Sequence, residues 1–381
     1  MRQGIRATFY RGGTSKAVVF NGSDLPADQA ARDRIFLQVL GSPDPYGRQL
    51  DGMGGGISSL SKVVIVDRSA RKDADVEYTF VQIAVDQPVA DYGSACGNMS
   101  SCVGPFAVEE GLVRADEDGE ALVRIFNTNT GQIYHARFPV QDGAPVEQGD
   151  FTIPGVSGSG ARVTLDFLRP GGAATGRLLP TGKPVNVLRV AGLGAVEASL
   201  VDAANPVVFV RAEALGKTAS EMPQALDADT DYMARMEAIR REAAVRMGLA
   251  ETVTEAALSN PKVAIIGAPQ TFTALDGSAH GADSHDLGVR LISMGNSHRA
   301  ITLTGGMCTG VAAHIPGTLV NRITSAARPL RIGNPSGVLP VMAEVLQGPD
   351  GPEAISVSTF RTQRRIMDGR VFFTAGTDSD A

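Results

Sequence analysis

The sequence predicts a mixed α/β (α+β) protein of two similar lobes. Short apolar runs broken by turn residues recur along most of its 381 residues, while helical periodicity is confined to a few stretches. A chain of this length suits two domains or two large lobes better than one. Gly and Pro cluster between residues 170 and 184 with little periodicity, which places a boundary there and gives lobes 1–184 and 185–381.

Strands are expected at residues 17–20, 63–66, 79–85, 122–126, 163–168, 206–210, 263–266 and 287–292. In the last of these Leu287, Val289 and Leu291 alternate, so one face should be fully buried. A helix is expected over 26–40, capped by Asp24, with Ile35, Val39 and Leu40 inward and Gly41-Ser42-Pro43 ending it. The strongest helical segment is 231–247, where Met233, Met236, Ile239, Ala243 and Met247 recur at helical spacing before Gly248. That stripe reads as core, since Met fills irregular gaps. Cys96-Gly97-Asn98-Met99 opens a helix that stops at Gly111, and Cys308-Thr309-Gly310-Val311 opens one ending near Pro316-Gly317. The pair reads as a weak internal duplication that sets a Cys at a helix amino terminus in each half.

Composition narrows the function. With 35 basic and 41 acidic residues the net charge is −6, which disfavours nucleic-acid binding, and the absence of Trp removes the best stacking platform. Three Cys form no disulfide framework and suit a reduced, cytoplasmic setting. The amino terminus lacks a signal-peptide core, and no run of apolar residues is long enough to span a membrane. No partner is therefore expected among nucleic acids or membranes. Glycine-rich strings do not make a nucleotide site: Gly52-Met53-Gly54-Gly55-Gly56 is followed by Ile57, and Pro184 follows Lys183 where a phosphate loop needs Ser or Thr. His280, His285 and Asp283 lack a diagnostic metal-ligand spacing, so no metal is expected.

Three segments carry chemistry. In Arg11-Gly12-Gly13-Thr14-Ser15-Lys16, two cations and two hydroxyls flank glycines that let a ligand approach the backbone; an anion site and an ordinary turn fit equally well. Ser61-Lys62 closes a polar, Gly-rich loop at a strand entrance. Burial there would lower the Lys62 pKa and make it a base, whereas a surface lysine at a strand end is the ordinary alternative. Cys96 meets the positive end of a helix dipole, and the N–H groups of Gly97, Asn98 and Met99 behind it form an anion site. Cys102, on another face of that helix, reads as a small core residue.

These strings resemble the PrpF family of cofactor-independent isomerases. The matching residues are Arg11-Gly12-Gly13-Thr14-Ser15-Lys16, Gly41-Ser42-Pro43-Asp44-Pro45-Tyr46-Gly47, Asp51-Gly52-Met53-Gly54-Gly55 and Ser61-Lys62. They continue through Cys96-Gly97-Asn98, Val103-Gly104-Pro105-Phe106-Ala107, Met294-Gly295 with His298, and Ile315-Pro316-Gly317-Thr318. The resemblance implies a diaminopimelate epimerase-like fold of two pseudo-symmetric lobes with the active site in the cleft between them. It implies movement of a double bond, or of its geometry, in a small unsaturated di- or tricarboxylate without a cofactor. Known members include 2-methylaconitate cis–trans isomerase, 4-oxalomesaconate tautomerase and methylitaconate isomerase. The family's catalytic Lys and Cys fall on Lys62 and Cys96. One departure stands out: Ser94-Ala95 precede Cys96 where the family commonly has Asn.

The implied mechanism removes an allylic proton to give a dienolate and reprotonates it, with Lys62 and Cys96 as the acid/base pair. Arg11, Thr14, Ser15, Lys16, Ser61, Met294 and His298 would hold the substrate. The N–H groups of Gly97 and Asn98, and the helix end near Cys308, Thr309 and Gly310, would stabilise charge. Cys308 either faces the substrate or is simply buried. Expected reactions are 2-methylaconitate isomerisation in the methylcitrate route of propionate breakdown, or 4-oxalomesaconate tautomerisation in aromatic catabolism. A non-catalytic tricarboxylate-binding partner of an aconitase-like enzyme is the alternative of another class. A homodimer and functional pairing with an aconitase-like methylcitrate dehydratase are the partner expectations.

Overall fold

The structure is a computed structural model that describes residues 1–93, 96–153, 155–258, 260–293, 295–324, 329–349 and 351–374. In chain order the first elements are β1 (Arg2–Gly12), β2 (Ser15–Asn21), α1 (Gln29–Leu40), β3 (Lys62–Arg68), β4 (Val76–Ile83), β5 (Ala90–Asp91) and α2 (Ser100–Glu109). Then come β6 (Gly119–Asn127), β7 (Gln132–Gln141), β8 (Ala144–Pro145), β9 (Val163–Leu168), β10 (Asn186–Val190), β11 (Gly194–Ala203) and β12 (Asn205–Arg211). After α3 (Pro223–Ala228) and α4 (Thr230–Arg246) follow β13 (Lys262–Gly267), β14 (Phe272–Thr273), β15 (Ala279–His280), β16 (Leu287–Ser293) and β17 (Asn296–Ser297). The chain closes with α5 (Leu303–Ala313), β18 (Leu330–Asn334), β19 (Gly337–Gly348), β20 (Gly351–Arg361) and β21 (Gln363–Thr374). Among the described residues no helix is long and apolar enough to cross a membrane.

Two compact units result, Met1–Asp166 with Phe360–Ala381, and Phe167–Thr359. The division falls before the Gly/Pro-rich stretch, and the last strand returns to the first unit. β21 does so because it pairs antiparallel with β1 along its length, from Arg2↔Thr374 to Gly12↔Gln363, with one register shift between Phe9 and Tyr10. Neither a boundary near residue 184 nor a second lobe running to 381 describes this division.

Both units have one topology. In the first, β1 pairs antiparallel with β21 and β2, β2 parallel with β3, β3 antiparallel with β4, β4 parallel with β6, and β6 antiparallel with β7. In the second, β11 pairs antiparallel with β10 and β12, β12 parallel with β13, β13 antiparallel with β16, β16 parallel with β18, and β18 antiparallel with β19. Helices occupy matching crossovers: α1 and α4 before β3 and β13, α2 and α5 before β6 and β18.

The central strands are covered on both faces, which is why they read as continuous apolar runs. From β3, Val63 and Ile65 pack with Ile35, Phe36, Val39 and Leu40 of α1. From β13, Val263 and Ile265 pack with Tyr232, Met236, Ile239 and Ala243 of α4, so most of the methionine stripe is core. Ala264 and Ile266, on the other face of β13, pack with Met307, Cys308 and Val311 of α5.

The cap of α1 differs from the one the sequence suggests. Asp24 lies in a short 3-10 turn, and α1 is capped by Asp28, whose carboxylate accepts from the Ala31 N–H at 2.8 Å. Asp28 is the acidic residue adjoining the first helical residue, where a cap must stand. Gly41 closes α1 in the left-handed conformation expected of it, φ 74°. The following loop folds back on that helix end so tightly that a Cβ on Gly52 would lie 2.2 Å from the Gly41 nitrogen. Gly52→Ala is therefore expected to destabilise the protein by about 1–3 kcal/mol, the usual range for overpacking, read as a lower midpoint in denaturant titration.

Candidate functional site

Lys62 is the first residue of a strand buried from Lys62 to Val66, and only 7% of its surface is exposed. In the antiparallel register it stands opposite Gln82. The Gln82 amide Nε2 donates to the Ser58, Ser61 and Ile83 carbonyls at 3.1, 2.9 and 3.3 Å. Those three acceptors fix which way the amide points. Its Oε1 is thereby turned to the Lys62 Nζ, 2.5 Å away, while the Phe80 ring lies 5.0 Å from the same Nζ. Burial lowers the Lys62 pKa, and the charge of Cys96 works against that shift. A strand-end lysine that is buried, singly hydrogen-bonded and pushed toward its neutral form has the properties of a base.

The loop before β3 is held from within. Gln49, 1% exposed and with φ 53°, accepts from the Gly56 N–H at 2.9 Å and the Ser61 hydroxyl at 2.6 Å, and donates to the Ser42 hydroxyl at 2.8 Å. Asp44 accepts the N–H groups of Tyr46, Arg48 and Gln49. Ser61, which the sequence reading sets among the residues that hold the substrate, is wholly buried and braces this loop against Gln49, so it serves Lys62 from behind.

Cys96 stands just ahead of α2, partly exposed and unpaired. Its carbonyl accepts from the Ser100 N–H, the Ser100 hydroxyl and the Tyr78 hydroxyl at 3.0, 3.1 and 3.2 Å. Among the described residues the N–H groups of Gly97, Asn98 and Met99 have no acceptor within the chain. They form a run of free donors beside the thiol, where the sequence placed one. Ser94 and Ala95, the departure from the family pattern, lie outside the described residues.

Asn98 ties this turn to the β1–β2 hairpin. Its side chain donates to the Thr14 hydroxyl at 3.0 Å and accepts from the Arg361 Nε at 3.0 Å. The paired glycines of the hairpin make room: a Cβ on Gly12 would meet the Asn98 carbonyl at 2.7 Å, and one on Gly13 would meet the Asn98 Oδ1 at 2.5 Å. Arg11 turns inward, its Nη1 donating to the carbonyls of Gly13 and Thr362 at 3.0 Å each. It fastens the turn to Thr362, between β20 and β21, a different task from the carboxylate clamp expected of it. Ser15 is buried, Thr14 is exposed, and Lys16 is partly exposed with its Nζ 5.5 Å from the Phe9 ring.

Two residues of this site escaped the sequence reading. Gln82 was visible only as a polar position in an apolar strand. Arg361 follows no motif; its Nη1 donates to the Phe360 carbonyl at 2.8 Å, and burial pulls its pKa down to about 10 while Cys96 supports its charged form. The first unit therefore gathers a depressed lysine, a thiol, a guanidinium and three free N–H groups.

In the second unit the duplication is real but its register differs from the one expected. Cys308, Thr309 and Gly310 lie inside α5, fully buried. That helix starts earlier because Thr302 caps it, accepting the Gly305 N–H at 3.0 Å. Cys308 faces the Val201 carbonyl at 3.4 Å, and burial pushes its thiol up. Thr309 donates to the Gly305 carbonyl at 2.8 Å. None of the three offers a helix-end donor, since all sit beyond the first turn. His298 is half-buried, its N–H bonded to the Leu291 carbonyl at 2.8 Å. Met294 lies outside the described residues.

A family model described as PrpF protein matches residues 2–374. A 2-methyl-aconitate isomerase from Cupriavidus necator is 42% identical over 382 residues, covering 96% of each chain. A 4-oxalomesaconate tautomerase from Pseudomonas putida is 37% identical over 371 residues, covering 96% of this chain and 95% of its own. A crystal structure of methylitaconate-delta-isomerase aligns at a TM-score of 0.91 with 39% identity, covering 100% of this chain and 99% of that one. The fold alone is shared with a hydroxyproline epimerase from Agrobacterium vitis, at 14% identity and a TM-score of 0.50 over 98% of this chain and 94% of that one. Full-length matches of this identity, all to isomerases, leave one assignment: the chain belongs to the PrpF family.

Proposed function

We propose that this isomerase shifts a proton in a small unsaturated di- or tricarboxylate, with 2-methylaconitate as its foremost substrate. The observation that carries the reading is the buried Lys62, depressed by desolvation and held by Gln82 within electrostatic reach of Cys96. Neutral Lys62 takes an allylic proton; the electron pair left behind delocalises through the alkene onto the carboxylate, giving a dienolate. The former double bond gains single-bond character and can turn. A proton returned by the Lys62 ammonium or the Cys96 thiol then fixes the isomer, and no net proton is gained or lost. The free N–H groups of Gly97, Asn98 and Met99 and the Arg361 guanidinium meet the developing negative charge. A relative named for 2-methylaconitate, at 42% identity, supports the substrate choice. With it goes a cytoplasmic role in propionate breakdown, beside an aconitase-like dehydratase.

Proton NMR in D2O with 2-methylaconitate should show deuterium entering the allylic carbon together with a new alkene isomer. Lys62→Met, at preserved folding, is expected to cut turnover by about a hundredfold or more, and Cys96→Ser should lose the isomer as well. Near-normal turnover in Lys62→Met would remove Lys62 from the mechanism. Exchange seen only with 4-oxalomesaconate would move the substrate to the tautomerase branch.

The pH profile tests the Gln82 contact. The base form of Lys62 is the active one, so kcat/KM should fall as pH drops through its lowered pKa. Gln82→Glu places a negative acceptor on the ammonium and should move that acid limb to higher pH by about one unit or more. Gln82→Leu removes the acceptor and should move it to lower pH. A purely structural role for Gln82 would shift neither limb.

A further inference from the structure

One strand reaches both chemical groups of the first unit. Side chains alternate along β4, and Val81 and Ile83 pack with α1. The opposite face of the strand carries Tyr78, Phe80 and Gln82 in a row. Gln82 holds the Lys62 ammonium, and the Phe80 ring lies 5.0 Å from it. Tyr78, wholly buried, reaches the other group: its hydroxyl donates to the Cys96 carbonyl at 3.2 Å. The Tyr134 ring stands edge-on to the Tyr78 ring, centroids 6.4 Å apart at 81°, and restricts where that hydroxyl can lie. Burial first, then the charge of Cys96, pushes the Tyr78 pKa well above the usual tyrosine value, so the hydroxyl keeps its proton and remains a donor.

The consequence of that bond lies on the far side of a peptide. In a trans peptide the carbonyl and the N–H of the next residue point in opposite directions, and the Cys96–Gly97 peptide is trans. A Cys96 carbonyl drawn toward Tyr78 and Ser100 therefore turns the Gly97 N–H the other way, off the open end of α2. Three donors meet this one oxygen: the Tyr78 hydroxyl, the Ser100 N–H at 3.0 Å and the Ser100 hydroxyl at 3.1 Å. The regular helical bond would supply only the second. Each added donor draws amide electrons onto the oxygen and leaves the Gly97 N–H more positive. The Asn98 carbonyl shows a lesser form of the arrangement, since the Ser101 N–H at 3.2 Å and hydroxyl at 2.7 Å both come from α2 itself. Tyr78 is thus the donor that ties a free N–H of this turn to the strand holding Lys62.

We propose that Tyr78 is a positioning residue for the isomerisation, acting through the Cys96 carbonyl to aim and strengthen the Gly97 N–H that meets the developing dienolate charge. The use of that N–H in the reaction rests on the isomerase reading; the effect of Tyr78 on the N–H does not. One face of β4 then sets both halves of the chemistry, Gln82 the base and Tyr78 the charge-stabilising donor beside the thiol.

Steady-state kinetics with 2-methylaconitate and amide NMR of the substrate-free enzyme test it together. Tyr78→Phe keeps the ring against Tyr134 and removes only the hydroxyl. It should lower kcat by about three- to tenfold, the loss of one neutral hydrogen bond, and leave KM unchanged, because the charge that Gly97 meets develops only on the way to the dienolate. The Gly97 amide resonance should move upfield as its polarisation weakens. Tyr134→Phe is the control for a merely structural role. Its hydroxyl donates to the Ser100 carbonyl at 3.2 Å, and the N–H across that peptide, Ser101, is already bonded to the Asn98 carbonyl. It should lose comparable stability yet keep wild-type kcat and an unmoved Gly97 amide. If Tyr78→Phe fails to fold, Ser100→Ala, which takes another donor from the same carbonyl, carries the same expectation. Wild-type kcat in the folded variant, an unmoved Gly97 amide, or an equal loss of kcat in Tyr134→Phe overturns the proposal. A wild type that turns over no unsaturated carboxylate sinks the isomerase reading instead, and the Gly97 resonance, read without turnover, still decides what Tyr78 does to the N–H.

Discussion

Covering both faces of a central strand is the constraint from which the candidate site follows. β3 is buried from Lys62 to Val66, with α1 against one of its faces, so its interior tolerates only apolar side chains. A functional side chain on such a strand is admissible at its end, where a loop supplies polar partners. Lys62 occupies that end, and the loop before it delivers the Ser58 and Ser61 carbonyls that orient Gln82. The same burial that excludes other polar groups depresses the lysine, so strand packing and basicity have one cause.

What could be read from the sequence follows this division. Continuous apolar runs located β3, β12, β13 and β16, and helical spacing located α1 and α4. The local strings around Lys62 and Cys96 marked the turn before α2 and the loop before β3. Partnerships between distant residues were illegible, because nothing local distinguishes Arg361, hydrogen-bonded to Asn98, from any other strand arginine. Arg11 shows the reverse case. Its position beside two glycines suggested a ligand, yet the Thr362 carbonyl, just before β21, already occupies Nη1.

Helix α5 failed for a different reason. Gly305 and Gly306 have poor intrinsic helix propensity, and that masked a start which the Thr302 cap and burial of Met307 and Val311 enforce. Shifting the start moved Cys308 from an end, where a thiol is chemically useful, to the core, where it is a small apolar residue. The duplication thus preserves strand order and the lysine at each strand head, while the thiol belongs to the first unit.

The return of β21 to the first unit also has a meaning for the order in which the protein is made. β1, β2 and the turn carrying Asn98 are synthesised before the second unit, yet the groups that lock them, Arg361 to Asn98 and Thr362 to Arg11, are translated only after it. Domains that finish in sequence order can fold while the ribosome is still elongating. This one is held open until β21 has emerged, so the second unit is complete before the first, and the nascent protein carries an unclosed sheet edge while the whole second unit is made.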